Sequence, residues 1–129
     1  MVYPTNIENV WKQSLPLLIP AINLHNTHSA EDVYKACMCG NAQLWIQWTD
    51  KVEAAVITEF VSYPKSLWFR LWLAGALKGS EILWDKFWET LSEFAKKNNC
   101  KGIEDCGREG WIHYAPKNTK TFSMRRVVI

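Results

Sequence analysis

The chain has 129 residues, of which 48% are hydrophobic and 22% are charged, and its formal net charge at pH 7 is +2. These values are typical of a globular protein and exclude a largely disordered chain, so we expect a single domain over residues 1–129. A net charge so close to zero gives no field that attracts nucleic acid. The longest apolar stretch near the N-terminus, residues 15–24, contains two prolines and is too short to span a membrane.

The cysteines and histidines predict neither a disulfide framework nor a metal site. The chain carries four cysteines but no basic N-terminal region typical of a signal peptide, so we expect reduced thiols and a cytoplasmic location. His25 and His28 precede Cys37 and Cys39, but the HxxH and CxC spacings match no usual zinc-finger pattern.

The N-terminal third of the chain predicts two helices. Residues 5–8 fit a capping box, which predicts a helix that begins at Asn6 and that Pro16 ends or kinks. A second helix is predicted over about residues 30–39, because acidic residues occupy its first turn and Gly40 follows as a C-cap glycine.

The middle of the chain predicts an antiparallel meander of three strands, over residues 43–48, 52–63 and 66–74. Alternation along the third strand predicts one face with Leu67, Phe69, Leu71 and Leu73 and the other with Trp68, Arg70, Trp72 and Ala74. Both faces are apolar apart from Arg70, so we expect helices on both sides of the sheet. Arg70 is predicted to stack between its two tryptophan neighbours.

The last third of the chain begins with its clearest pattern. Aromatic and aliphatic residues keep helical spacing from Ser80 to about Asn98, which predicts an amphipathic helix. We expect a short strand next, over residues 100–105. A short helix over residues 111–114 and a last strand over residues 121–129 complete the predicted order.

Five stretches in this order resemble a known superfamily. They are "QLWIQW", "EAAVITEFVSYP", "WFRLWLAG", "LSEFAKKNNCKGIE" and "GREGW", and together with the element order they resemble small GNAT-like N-acetyltransferase proteins encoded by tailed phages. The resemblance covers about residues 30–129. It implies an α+β fold of GNAT type, with a mixed, mainly antiparallel sheet and helices on both faces.

The resemblance also implies a site for acetyl-CoA after the third predicted strand. In the superfamily, backbone amides before the next helix bind the pyrophosphate of the cofactor. Here that place and its flanks contain Leu73, Gly75, Lys78, Gly79 and Ser80, and Arg108 follows in the later GREGW turn. The usual glycine motif is absent, Ser80 is able to cap the helix itself, and Glu81 and Asp85 would repel a phosphate. Arg108 has the alternative of pairing with Glu104 or Asp105.

Catalysis in the superfamily needs a proton acceptor for the amine and a proton donor for the thiolate that leaves. The resemblance implies Glu59 as the base, because burial beside Ile57 and Val61 would raise its pKa. It implies Tyr114 as the acid, and Cys106 is a weaker candidate for the same role. The alternatives are an exposed Glu59 at the edge of the sheet and a tyrosine that only packs.

Two functions of different classes follow from these residues. The first is transfer of an acetyl group from acetyl-CoA to an amine. The second is a catalytically inactive GNAT fold that acts as a virion-associated protein or binds a host protein, and the degenerate cofactor motif favours it. The enzyme needs an open cleft between the strands that end at Gly75 and Asp105, whereas an inactive protein is free to fill that space.

Overall fold

The computed structural model describes residues 1–105 of the chain. The predicted helix over residues 111–114 and the predicted strand over residues 121–129 lie outside the described residues, as do Cys106, Arg108 and Tyr114. The described elements, in chain order, are α1 (Pro4–His25), α2 (Ala30–Met38), β1 (Ala42–Trp48), β2 (Val52–Tyr63), β3 (Ser66–Ala76), α3 (Trp84–Lys97) and β4 (Ile103–Asp105).

The described strands form one sheet in the order β1, β2, β3, β4. The pairs β1 with β2 and β2 with β3 are antiparallel, whereas β3 and β4 are parallel. One core lies between this sheet and the first two helices, and we call it the α1-side core; its fully buried members include Ile7, Leu18, Val33, Leu44 and Ile57. The α3-side core lies on the other face and includes Trp45, Val56, Phe69, Leu71 and Leu91. The predicted mixed sheet with helices on both faces is therefore confirmed.

Helix α1 differs from its prediction at both ends. It begins at Pro4 with Tyr3 as N-cap and no side-chain cap, so the predicted capping box at Thr5 is wrong. It also continues through Pro16 and Pro20 to His25, although each proline removes one helical hydrogen bond. The continuous buried stripe on one side of the helix accounts for this, because tertiary packing outweighs local propensity; the stripe consists of Ile7, Ser14, Leu18 and Ile22.

Helix α2 and the first two strands follow their predictions closely. Ser29 caps α2 through a capping box with Asp32, and Gly40 after the helix has a φ of +82°. Strand β2 has the predicted bounds, and β1 begins one residue earlier than predicted.

Strand β3 contains an extra residue that the alternation did not predict. Leu71 pairs with Thr58 and Leu73 pairs with Ile57, so Trp72 forms a β-bulge. The bulge reverses the faces that follow it: Leu71 belongs to the α3-side core, but Leu73 belongs to the α1-side core. The predicted single face from Leu67 to Leu73 is therefore wrong beyond Leu71.

Helix α3 begins later than predicted. Its first residue is Trp84 and its N-cap is Leu83, so Ser80 does not cap it. The helix ends at Lys97, with Asn98 as C-cap, close to the predicted end. The following strand β4 is shorter than predicted and covers only Ile103–Asp105.

Helix α1 approaches β3 most closely at Gly75. A Cβ atom built on Gly75 would overlap the carbonyl oxygen of Leu17 in α1. Since the atom in the way belongs to the backbone, no rotamer change relieves the overlap. The absence of a side chain at position 75 is therefore a requirement of the helix packing.

We expect Gly75→Ala to lower the free energy of unfolding by about 2 to 3 kcal/mol, because α1 must move away from the sheet. Gly79→Ala is the control: Gly79 has a φ of +86° with nothing near its Cβ position, so only backbone strain of about 1 kcal/mol is expected. Urea unfolding of both variants measures the difference. Equal losses would contradict the close packing of α1 on Gly75.

Candidate active site

A cleft lies beside the second half of β3. Within residues 1–105, β3 and β4 pair over three residues each, from Phe69 to Leu71 and from Ile103 to Asp105. Beyond this point a cavity of about 330 Å³ lies between the second half of β3, helix α1 and helix α3. The α1 wall contains Leu17, Pro20, Ala21, Leu24 and His25, and the α3 wall contains Trp84, Phe87, Trp88 and Leu91.

The bulge at Trp72 turns backbone groups of β3 toward this cleft. Before the bulge, the Phe69 amide donates to the Gly102 carbonyl on the β4 side, at 3.0 Å. After it, the Leu77 amide donates to the Glu53 carbonyl on the β2 side, at 2.7 Å. Backbone N–H and C=O groups point alternately to the two sides of a regular strand. Phe69 and Leu77 are an even number of residues apart, so without the bulge their backbone groups would point to the same side. The N–H and C=O groups of Ala74 and Ala76 therefore face the cleft, and no strand within residues 1–105 pairs with them there.

The walls of the cleft are mainly apolar. Of the 17 described residues that line it, only His25 and Asp105 have ionisable side chains. His25 ends α1, and Asp105 ends β4 opposite Leu71. The described side chains of the wall are therefore largely apolar, and the backbone groups of Ala74 and Ala76 add polar atoms between them.

The loop between β3 and α3 is held by Gln47 of β1. The Leu83 amide donates to Gln47 Oε1 at 2.9 Å, and Gln47 Nε2 donates to the Glu81 carbonyl at 2.9 Å. The amides of Leu77 and Leu83 are thus bonded within the protein. Sequence analysis missed Gln47, and the signal was available: it is a polar residue on the same face of β1 as the buried Trp45.

The structure brings two of the predicted cofactor residues into the cleft. Leu73 and Gly75 line it, whereas Lys78, Gly79 and Ser80 lie on the loop that follows β3. The Ser80 amide donates to the Leu77 carbonyl at 3.3 Å and closes a turn. Arg108 lies outside the described residues, so its predicted contact with the cofactor stays a prediction.

Glu59 lies in an ion-pair network and is not among the residues that line the cleft. Arg70 Nη1 is 3.2 Å from Glu59 Oε1, and Arg70 Nη2 is 2.8 Å from Glu104 Oε1. The Tyr63 hydroxyl donates to the Glu104 carboxylate at 3.0 Å. The three charged side chains are half-buried, with exposed fractions between 22% and 28%. Glu59 is the candidate base, and that role stays a prediction.

The same network replaces the predicted stacking of Arg70 on tryptophan. The sheet register places Glu59 opposite Arg70 on β2 and Glu104 opposite it on β4. Burial lowers the pKa of Arg70, whereas the hydrogen bond and the charge of Glu104 raise it, with smaller effects of Tyr63 and Glu59 in the same direction. The pKa of Arg70 therefore lies above its usual value. Arg70 is therefore fixed by cross-strand carboxylates, which the sequence without its register did not reveal.

Trp72 connects the cleft to the turn between α1 and α2. Its side chain packs on the α1-side core and also lines the cleft. Its ring centroid is 4.8 Å from that of His28, with an interplanar angle of 75°. This edge-to-face arrangement fixes the orientation of the indole at the wall of the cleft.

The histidines and cysteines that sequence analysis considered as metal ligands do not form a cluster in the part of the chain that the structure describes. Within residues 1–105, no group of three or more His, Cys, Asp or Glu side chains is placed to hold a metal ion. Cys37, Cys39 and Cys100 are free thiols, and burial raises the pKa of Cys37 to about 12. No helix among these residues is both long and apolar enough to cross a membrane.

The sequence matches no protein-family model and no curated protein sequence. The fold, however, is similar to solved acetyltransferases. An aminoglycoside acetyltransferase, meta-AAC0020, from an uncultured soil metagenomic sample, solved in complex with trehalose and with sisomicin, superposes with a TM-score of 0.69 at 8% identity, over 99% of this chain and 93% of that chain. A "probable acetyltransferase" gives a TM-score of 0.67 at 6% identity, over 98% of this chain and 97% of that chain.

A "possible acetyltransferase" from Clostridium difficile 630 gives a TM-score of 0.60 at 10% identity, over 99% of this chain and 95% of that chain. Similarities at these identities establish the fold. The chain therefore has the GNAT acetyltransferase fold, and the predicted fold class is confirmed.

We expect Arg70→Met to lower the free energy of unfolding at pH 7 by about 1 to 2 kcal/mol, because two half-buried carboxylates lose their cation. Lys35→Met is the control, since the exposed pair of Lys35 and Glu31 contributes little. Urea unfolding at pH 7 measures both variants, and a loss for Arg70→Met no larger than that for Lys35→Met would contradict the network.

Proposed function

We propose that this chain transfers an acetyl group from acetyl-CoA to an amine. The single observation that supports the proposal is the open backbone edge of β3 after the bulge, where Ala74 and Ala76 direct their N–H and C=O groups into an apolar cleft. Solved structures with the same fold include acetyltransferases, which is consistent with this activity.

The residues of the cleft fit the amide-containing arm of the cofactor. The backbone groups of Ala74 and Ala76, with which no strand within residues 1–105 pairs on this side, are able to hydrogen-bond its amides, as one more strand would at a sheet edge. The apolar walls exclude water, which protects a thioester from hydrolysis. When bound, acetyl-CoA supplies an activated acyl group.

The loop after β3 is the proposed contact for the phosphates of the cofactor. Lys78 supplies a positive charge, Gly79 has the left-handed conformation that exposes backbone amides, and Ser80 supplies a hydroxyl. Leu73 and Gly75 belong to the same proposed site through their position on β3. Arg108 is proposed as a further phosphate contact.

We propose Glu59 as the proton acceptor for the amine and Tyr114 as the proton donor for the leaving thiolate. Because Glu59 is outside the described cleft lining, its carboxylate would act through a water molecule. Arg70 holds one oxygen of this carboxylate, which keeps it oriented. Asp105 is the rival acceptor, since it lines the cleft directly.

A second candidate function is a catalytically inactive GNAT-fold phage protein in the virion or in the host cytoplasm, where it binds a host protein. The observation that favours it is the loop before α3. The amides of Leu77 and Leu83 are already bonded to Glu53 and Gln47, and the helix begins only at Trp84. These bonds leave fewer donors for a pyrophosphate.

Calorimetric titration with acetyl-CoA separates the two functions. We expect micromolar binding to the unmodified protein and at least about tenfold weaker binding to Gly79→Glu, which places a negative charge beside the phosphates. Gly40→Glu is a matched control, because Gly40 also has a positive φ and an empty Cβ position but lies after α2. No binding at millimolar acetyl-CoA would overturn the proposed activity and favour the inactive protein.

Acetyl transfer assays distinguish the two candidate bases. We expect Glu59→Gln to lower kcat by about 10² to 10⁴ and to remove the pH-dependent rise of the rate, while acetyl-CoA binding is unchanged. Asp105→Asn is the matched variant. If Asp105→Asn abolishes the pH dependence and Glu59→Gln does not, the proton acceptor is Asp105.

A further inference from the structure

We infer that Gln47 of β1 is a positioning residue for the proposed cofactor site, because it holds the loop that would contact the cofactor phosphates. This loop consists of residues 77–83, between β3 and α3. The inference rests on the proposed function for the identity of the ligand. It adds a residue that is not among those that line the cleft or would contact the cofactor, and that determines how tightly the cofactor binds.

Both ends of the loop are bonded to the hairpin of β1 and β2, at an irregularity in their pairing. The register of the two strands shifts between Gln47 and Trp48, which leaves Glu53 as an extra residue in β2. At the start of the loop, the Leu77 amide donates to the Glu53 carbonyl at 2.7 Å. At the end of the loop, the bonds come from the side chain of Gln47. The hairpin therefore supports the loop from outside.

The carboxamide of Gln47 bonds the end of the loop in both directions. Its Oε1 accepts from the Leu83 amide and its Nε2 donates to the Glu81 carbonyl, both at 2.9 Å. Glu53 Oε1 lies 3.5 Å from the same Nε2. A planar group that accepts on one side and donates on the other fixes the orientation of the bonded segment as well as its position. Because Gln47 lies on a paired strand, it is a more rigid support than a loop residue.

The residues proposed to contact the phosphates lie between these two bonded ends. Lys78 and Gly79 are exposed, and the Ser80 amide closes a turn onto the Leu77 carbonyl at 3.3 Å. Ordering an exposed segment when a ligand binds costs conformational entropy and lowers affinity. Since the ends are bonded beforehand, less of this cost remains when a phosphate binds. The amides of Leu77 and Leu83 are not among the proposed contacts, so their bonds use none of the proposed donors.

Gln47→Met tests the inference, because it keeps the approximate size of the side chain and removes both hydrogen bonds. Gln43→Met is the matched control, since Gln43 lies on the same face of β1 and accepts from the hydroxyl of Thr58 in β2 at 2.9 Å. The first measurement is amide hydrogen exchange by NMR without ligand. We expect the Leu83 amide to exchange at least about tenfold faster in Gln47→Met and at an unchanged rate in Gln43→Met.

The second measurement is calorimetric titration of the same variants with two ligands. One is acetyl-CoA, and the other is S-acetylpantetheine, which has the amide-containing arm but no phosphate. We expect Gln47→Met to bind acetyl-CoA about tenfold more weakly than the unmodified protein and to bind S-acetylpantetheine equally well. Gln43→Met should bind both ligands as the unmodified protein does. A general loss of stability would not separate the two ligands in this way.

The possible results distinguish this inference from the proposed function. If the unmodified protein binds acetyl-CoA, then equal or tighter binding by Gln47→Met, or an equal loss for S-acetylpantetheine, would overturn the inference alone. An unchanged exchange rate at Leu83 would also overturn it, whether or not a ligand binds. No binding of acetyl-CoA to the unmodified protein would overturn the proposed function and, with it, the role of Gln47 in cofactor binding.

Discussion

The extra residue at Trp72 in β3 determines which backbone N–H and C=O groups of that strand face the cleft. Up to Leu71, the side of β3 that faces β4 is paired, and this pairing joins β4 to the three antiparallel strands. After Trp72 the strand exchanges its faces, so Leu73 enters the α1-side core and backbone groups turn to the cleft. One irregularity therefore sets the composition of both cores near it and positions an aromatic ring at the cleft.

Close packing of α1 completes the arrangement on one side. The carbonyl of Leu17 lies on Gly75, two residues from the side chain of Leu73, so helix α1 packs directly on the face of β3 beside the cleft. On the opposite side, aromatic residues of α3 and β2 fill the α3-side core, where Phe60 and Phe94 have ring centroids 5.8 Å apart. The α1 wall of the cleft is therefore mainly aliphatic, whereas the α3 wall is mainly aromatic.

Much of the fold could be predicted from local patterns. The capping box of Ser29, the β-branched run of β2 and the amphipathic spacing of α3 are signals within a few residues, and they gave correct elements. The errors lie where contacts between residues that are distant in the sequence determine the local structure. Packing on the sheet keeps α1 helical through Pro16 and Pro20. Gln47 of β1 accepts a hydrogen bond from the loop before α3, where the predicted start of that helix was wrong. For the candidate site, the resemblance pointed to the end of β3, where Leu73 and Gly75 line a cleft, but the register that joins Arg70 to Glu59 and Glu104 needed the structure.

The bulge also has a consequence for how this protein tolerates changes in chain length. Loops usually accept an inserted or deleted residue, since their backbone is not in register with a neighbour. In β3, removal of one residue near position 72 would restore regular alternation and exchange the faces of every residue from Leu73 to Ala76. The cleft is therefore encoded by the number of residues in a strand as much as by their identities, and relatives with the same cleft must keep that count.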